Sequence, residues 1–141
     1  MNTVDLVQHV ELDDISCTQF SAKRKLRPND LLVDEEFGEI GLKVFPVNWD
    51  SIIEILFRAS VETSDADLLT VFSIRYIRPG DEEIPEEVRQ DFIERVAVMA
   101  VMPYIREALQ AGAQRLSVPI PLIPILRQGE FHLTAHDSTQ G

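Results

Sequence analysis

The most restrictive feature of this sequence is residues 85–116, which read as one long helix. Apolar residues recur along it at spacings of three and four, as one helix face requires; they are Val98, Met102, Ile105, Leu109, Ala113 and Leu116. From Val96 to Met102, all seven residues lack a polar side chain. A helix that is apolar all round must be covered on every side. One small sheet is not expected to do this, so we expect a second copy of the chain as a cover.

The middle of this helix is therefore predicted to form a homo-oligomer interface. The residues assigned to it are Val96, Val98, Met99, Val101, Met102 and Ile105. Pro103 lies within the same helix. A proline lacks a backbone N–H and clashes with the carbonyl four residues back. The sequence thus predicts a kink or a break near residues 99–102.

Four strands are predicted ahead of the helix, over residues 4–24, 40–49, 53–61 and 68–78. The first is expected to be bulged where its apolar positions change parity between Leu12 and Ile15. The third shows the strict alternation of a half-buried strand. Short turns join the last two pairs of strands, which should therefore be antiparallel. The single cysteine, Cys17, is expected to be a buried small side chain in the first strand.

Two segments carry more apolar residues than such a fold needs to bury. Leu31–Glu39 is a connection rich in large apolar side chains, and Val118–Leu126 is an apolar stretch with three prolines. Proline cannot donate to a strand ladder, so the second segment should lie extended over a surface. Surplus apolar surface marks oligomer interfaces or binding grooves, and the sequence alone does not divide it between the two.

Charge and composition exclude several classes of function. The formal net charge of −11 argues against nucleic acid and anionic membrane as partners, and it suits encounters with basic polypeptides. No apolar stretch approaches the roughly 20 residues of a membrane helix. The N-terminus has no basic region followed by an apolar run, so no signal peptide is expected. With one cysteine, a reducing compartment is expected, and the cytoplasm is the predicted location.

The sequence shows no recognisable catalytic or metal-binding motif. His132 and His136 have the spacing of two ligands on a helix face, but they lie in a segment without a helical pattern. The sequence has no His-Glu-x-x-His motif, no glycine-rich phosphate loop and no Gly-x-Ser-x-Gly elbow. The protein is therefore predicted not to be an enzyme, with no cofactor and no metal.

Two short blocks carry a resemblance to a known family. Met102–Glu107 reads MPYIRE, and Arg115–Leu122 reads RLSVPIPL. Together they resemble the SecB family of chaperones, which shows a Pro-Tyr-x-Arg-Glu block on its main helix and then an apolar, proline-containing stretch. The resemblance is closer to the SecB-like proteins associated with toxin–antitoxin systems than to the dedicated export chaperone.

The resemblance implies an α+β fold with a four-stranded antiparallel sheet, a long kinked helix and a Pro-rich extended segment. It implies a single SecB-like domain over residues 1–133 and a polar C-terminal tail over residues 134–141. The family holds unfolded polypeptides without ATP, in apolar grooves of a homotetramer built as a dimer of dimers. By position, the groove residues are Leu31, Leu32, Val33, Phe37, Ile120, Leu122, Ile123, Ile125, Leu126 and Phe131.

Two departures from the family bear on partners. The second, C-terminal helix of the family is not expected here, since a polar tail follows Leu133. The family docks the export motor SecA on an acidic sheet surface, whereas the last strand here carries Arg75 and Arg78, which argues against docking to SecA. Unfolded clients, an antitoxin or an export precursor among them, are the expected partners of a holdase. The alternative is a non-chaperone interaction protein on the same fold that binds one dedicated protein partner.

Overall fold

The computed structural model describes residues 1–25 and 39–119. Their elements, in chain order, are α1 (Thr3–His9), β1 (Glu11–Arg24), β2 (Glu39–Trp49), β3 (Ile52–Glu62), β4 (Ala66–Ile77), α2 (Glu86–Phe92), a π turn (Ile93–Ala97) and α3 (Val98–Arg115). The last three elements are continuous and are called the main helix below. The α+β class and the order of four strands followed by a long helix are as predicted.

The four strands form one antiparallel sheet in the order β1-β4-β3-β2. The predicted alternation in β3 is confirmed, because Ile53, Ile55 and Phe57 are all fully buried. Their partners across the β3–β4 ladder are Tyr76, Ile74 and Phe72, which are buried as well. One face of the sheet is therefore the apolar floor on which the main helix packs.

Aromatic contacts hold the start of the main helix on this floor. Phe92 is fully buried and meets the ring of Tyr76 edge-on, with centroids 5.0 Å apart. On its other side, the Trp49 ring meets Phe92 at 6.2 Å, and the Arg89 guanidinium lies 5.6 Å from the Trp49 centroid. Edge-to-face pairs contribute about 0.5–1.5 kcal/mol each beyond the burial of their area. These contacts tie α2 to the end of the sheet where β2 turns into β3.

The prediction of one strand over residues 4–24 is wrong at its start, where the chain forms α1. The amide of Asp5 donates to Asn2 Oδ1 at 2.8 Å, and Asp5 Oδ2 accepts from the Asn2 amide at 3.2 Å. This reciprocal capping box satisfies two amide groups that a helix start leaves free. Leu6, which is 2% exposed, anchors the helix in the core. The predicted bulge is confirmed by a register shift between Leu12 and Asp14.

The predicted break near residues 99–102 does not occur, and the kink predicted there stays a prediction. α3 runs through Pro103 without interruption, and the irregular turn lies earlier, at Ile93–Ala97. There the amide of Val98 donates to the carbonyl of Ile93, five residues back. Pro103 itself lies on the exposed side of α3, where water can serve the carbonyl that loses its partner. The helix therefore accepts its proline at the surface.

Candidate functional site

The predicted groove residues lie outside the described part of the chain. These are Leu31, Leu32, Val33 and Phe37 in one segment, and Ile120, Leu122, Ile123, Ile125, Leu126 and Phe131 in the other. Their assignment to a client groove stays a prediction. The structure does describe the anchors from which both segments leave the fold, and these anchors constrain where a groove can begin.

Lys25 is the anchor at the end of β1. Its amide donates to the Asp65 carbonyl at 2.7 Å, and its ammonium donates to the Thr63 carbonyl at 2.8 Å. The same ammonium lies 3.3 Å from carboxylate oxygens of Glu62 and Asp67. Partial desolvation lowers the pKa of Lys25, but the hydrogen bonds to the two carboxylates outweigh it, so the pKa lies above its usual value. The end of β1 is thereby held at the β3–β4 turn.

Ser117 is the anchor at the end of α3. It has a positive φ of 57°, and it is the one non-glycine residue of the described ranges with a positive φ. The Ser117 amide donates to the Gln114 carbonyl and the Val118 amide donates to the Ala113 carbonyl, both at 3.1 Å. This pair of bonds is a Schellman motif, which usually places glycine where Ser117 stands. The motif stops the helix and sets the direction in which the chain continues.

Both anchors lie toward the same end of the sheet. Glu39, where β2 begins, pairs with Glu62 beside the β3–β4 turn that holds Lys25. On α3, a Cβ atom at Gly112 would lie 3.4 Å from the Leu68 side chain, two residues into β4 from the same turn. The two apolar segments therefore start from neighbouring positions, although they are about 90 residues apart in sequence.

The predicted interface residues divide into two groups. Val98, Val101, Met102 and Ile105 are at most 4% exposed within a single chain, because the sheet covers more of the helix than the sequence led us to expect. Val96 and Met99 are half-buried. The interface role of all six stays a prediction. Only the last two present side-chain surface that a second copy can reach.

An apolar surface remains exposed on the helix side of the molecule. Val96 and Met99 of the main helix are half-buried against the core, and Tyr104, which is 49% exposed, has its ring centroid 6.3 Å from that of Phe72 on β4. Val4 and Val7 of α1 border a cleft of about 330 Å³ whose opposite wall includes Val96. Phe20 of β1, which is 44% exposed, lies beside Gly112 of α3. These six residues, Val4, Val7, Phe20, Val96, Met99 and Tyr104, are called the helix-side surface below.

The sequence reasoning about Arg78 needs correction. Arg78 is only 5% exposed, and its guanidinium donates to the carbonyls of Asp50, Trp49 and Glu82. It therefore closes the β2–β3 corner and presents no charge on the sheet surface. Arg75 does lie on the face opposite the main helix, together with Arg58 and Lys43, which the sequence reasoning did not single out. The alternation of side chains between the two faces of a strand is the signal that would have placed them there.

Cys17 differs from its prediction too, since it lies in β1 but is exposed. Its Sγ atom lies 3.4 Å from the Gln19 carbonyl and 3.7 Å from Thr70 Oγ1. Across residues 1–25 and 39–119, no group of three or more His, Cys, Asp or Glu side chains could hold a metal ion. Within the same ranges no helix is long and apolar enough to cross a membrane.

Comparison with known proteins bears on the whole chain. No family model matches the sequence. The SecB-like chaperone SmegB of Mycolicibacterium smegmatis is 29% identical over 130 residues, which is 92% of this chain and 84% of that protein. The SecB-like chaperone Rv1957 of Mycobacterium tuberculosis, solved in complex with a ChAD peptide from the HigA1 antitoxin, superimposes with a TM-score of 0.68. That match has 20% identity and covers 89% of this chain and 93% of the other.

A protein of unknown function from Streptococcus agalactiae shares the fold more distantly, with a TM-score of 0.52 and 12% identity. It covers 82% of this chain and 96% of its own. The two solved structures show the fold, and SmegB shows the likeness in sequence. The resemblance predicted from the MPYIRE and RLSVPIPL blocks is confirmed: this chain is a homologue of SecB-like chaperones and has their fold.

Proposed function

We propose that this chain is an ATP-independent holdase that binds unfolded or extended polypeptides. The observation that carries the proposal is the likeness to SmegB over 92% of the chain. The fold shared with a SecB-like chaperone in complex with an antitoxin peptide supports an extended polypeptide as the client class. The relatives are named as chaperones, which supports a binding protein without catalysis. The alternative of a non-chaperone interaction protein is not favoured by these comparisons.

The client groove is proposed to form between the segments that follow β1 and α3. The described chain ends before both segments near the same end of the sheet, since Lys25 is bonded to the β3–β4 turn and Gly112 of α3 lies beside Leu68. Three prolines in the second segment leave few backbone donors for sheet pairing, so its apolar side chains are available to a client. Apolar burial is then the driving force, and salt weakens it little.

Self-association is the second part of the proposal. A homotetramer arranged as a dimer of dimers is the assembly that the family resemblance implies. The helix-side surface supports it, because apolar side chains that a small protein leaves exposed or half-buried are typical of oligomer interfaces. A cytoplasmic location is proposed with it. We propose polypeptide clients without SecA docking, and an antitoxin is the first dedicated client to test.

The test is suppression of aggregation of an unrelated, chemically unfolded protein, followed by light scattering. We expect suppression near one oligomer per client, without nucleotide and unchanged by a metal chelator. Addition of ATP should change neither the extent nor the rate of suppression. Absence of suppression at a severalfold excess of the chaperone, together with tight binding of one antitoxin peptide, would overturn a general holdase and leave a dedicated one.

A further inference from the structure

The sheet face opposite the main helix carries a cationic pair. Lys43 on β2 is the direct cross-strand partner of Arg58 on β3, and both side chains are exposed. Like charges placed opposite each other in a sheet repel and destabilise it. Within residues 1–25 and 39–119 neither side chain makes a hydrogen bond or an ion pair. The arrangement is unexpected in a chain whose formal net charge is −11.

Among residues 1–25 and 39–119, the surroundings of this pair do not neutralise it. The residues around it on the same face are uncharged: Gln19, Val71, Ser73, Leu56, Phe45, Leu69, Ser60 and Gly41. The nearest acidic residues on β3 are Glu54 and Glu62, four positions from Arg58 on either side, or about 13 Å along a strand. That exceeds the screening length of about 8 Å at physiological salt. Glu54 is moreover engaged, since it accepts from Ser73 Oγ at 3.0 Å.

Three other basic residues in the sheet or directly beside it have acidic neighbours. Lys25 is paired with Glu62 and Asp67. Arg75 stands in register between Asp14 on β1 and Glu54 on β3. Lys23 stands opposite Asp67. The Lys43–Arg58 pair differs from these three residues, and its like charges do not add to the stability of the sheet.

We propose that the sheet face around Lys43 and Arg58 binds an acidic polypeptide segment of a partner protein. An Arg guanidinium takes a carboxylate through two parallel hydrogen bonds, and the ammonium beside it takes a second carboxylate. The half-buried Leu56 and Val71 flank Arg58 and supply apolar contact between such bonds. The binding surface lies on the opposite side of the sheet from the main helix, so this inference does not rest on the proposed holdase function.

Charge favours an acidic segment over two other occupants of this face, which are nucleic acid and a second copy of the chain. Nucleic acid carries a dense negative charge, which a chain of net charge −11 repels as a whole. A second copy in a two-fold contact would bring the same patch against itself, since such interfaces are self-complementary. Lys43 and Arg58 would then meet their own copies. A short acidic segment carries far fewer charges than a nucleic acid, so it meets less of this repulsion, and it does not place the pair against its own copy.

The experiment uses a dye-labelled peptide that alternates glutamate and serine, and measures its fluorescence anisotropy. This probe has no apolar side chain to enter a client groove. The variant Lys43→Gln/Arg58→Gln removes the pair. The matched control Lys23→Gln/Arg24→Gln removes the same charge from another exposed basic pair of the sheet. A peptide that alternates lysine and serine is the probe control.

We expect the unmodified chain to bind the glutamate peptide, with affinity falling as sodium chloride rises from about 50 to about 300 mM. Lys43→Gln/Arg58→Gln should weaken binding about tenfold or more, and the control variant less than about twofold. An excess of unfolded client should not displace the probe. The proposal is overturned if the unmodified chain does not bind the peptide, if both variants lose binding equally, or if a labelled RNA of the same length binds more tightly. A smaller oligomer for Lys43→Gln/Arg58→Gln would assign the pair to self-association instead.

Discussion

Gly112 on α3 lies so close to Phe20 on β1 that a Cβ atom at position 112 would come within 2.9 Å of Phe20 Cζ. The Leu68 side chain would lie 3.4 Å from that Cβ atom. Glycine in a helix interior costs about 1 kcal/mol relative to alanine, so this position gives up helix propensity for a close approach. The approach seats the last turns of α3 on the sheet, near the anchor at Ser117.

A double-mutant cycle tests this contact. Gly112→Ala alone should change the free energy of unfolding by less than about 0.5 kcal/mol, because the gain in helix propensity is offset by displacement of the half-exposed Phe20 ring. In a Phe20→Ala background the clash is gone, so the same change should stabilise by about 1 kcal/mol. Urea denaturation measures all four proteins. Equal effects in both backgrounds would show that Phe20 does not restrict position 112.

Replacement of Ser117 by glycine should stabilise the chain. A left-handed backbone costs a non-glycine residue about 1–2 kcal/mol, and the Schellman hydrogen bonds at Ser117 remain in the variant. We expect Ser117→Gly to gain about 1 kcal/mol, or roughly 3–4 °C in thermal midpoint. Ser117→Ala keeps the strain and is the matched control. A glycine variant no more stable than the alanine variant would contradict the motif.

The loss of folding stability at alkaline pH should depend on Tyr76. Burial raises the pKa of Tyr76 to about 12, whereas an unfolded tyrosine titrates near 10. Between these values the unfolded state binds fewer protons than the folded state, so stability falls as pH rises. The loss should reach about 2 kcal/mol by pH 12.

Tyr76→Phe should remove this part of the alkaline slope and keep the stability at pH 7 nearly unchanged. Lys25, whose raised pKa also makes stability fall at alkaline pH, is present in both proteins and cancels from the comparison. Tyr104→Phe, at the half-exposed second tyrosine, is the control. Urea titrations at pH 8, 10 and 11.5 measure the slopes. Parallel slopes for Tyr76→Phe and the unmodified chain would show that the Tyr76 phenol is not protected by the fold.

Much of the sheet was predictable because local periodicity reports burial directly. The alternation from Ile53 to Val61 predicted β3, and the parity change after Leu12 predicted a bulge. The pairing of β1 with β4 was not predicted, because the sequence of a strand does not indicate which distant strand it pairs with. The RLSVPIPL and MPYIRE blocks carried the SecB-like likeness, which the comparisons confirm.

The wrong predictions also have physical causes. α1 has seven residues, too few for a helical period to stand out from a strand pattern, and its capping box through Asn2 and Asp5 was the better signal. Pro103 was expected to kink or break the helix, but α3 continues through it, because exposure on the helix surface makes a proline tolerable. Arg78 was assigned to the surface because sequence shows charge but not the three carbonyls that bind it. The proposed groove depends on segments 26–38 and 120–141, outside the described ranges.

Client binding should depend on Leu32 and Leu122. Each buried leucine contributes about 1.5–3 kcal/mol, so Leu32→Ser/Leu122→Ser should weaken client affinity about 100-fold or more. The thermal melt and the oligomer size should stay nearly the same. Val47→Ser/Ile77→Ser, at two exposed apolar residues of the sheet, is the matched control and should bind normally. A Leu32→Ser/Leu122→Ser protein that unfolds or dissociates would show that these residues belong to the core or the interface.

Self-association should depend on the helix-side surface and can be separated from folding. The unmodified chain should scatter light as a homo-oligomer, and Val96→Asp/Tyr104→Asp should lower its mass while the circular dichroism spectrum is kept. Both positions have side-chain surface that solvent can reach in a single chain, so an added carboxylate there stays hydrated until a second copy covers it.

Met102→Asp is the contrasting variant, because Met102 is 4% exposed in the single chain. An unpaired carboxylate at that position should unfold the protein rather than dissociate it. A stable monomer of the unmodified chain at micromolar concentration would refute the assembly. An unchanged mass for Val96→Asp/Tyr104→Asp would place the interface elsewhere. Since the sheet already covers Val98, Val101, Met102 and Ile105, an interface on this side must be built from the side chains that the sheet does not reach.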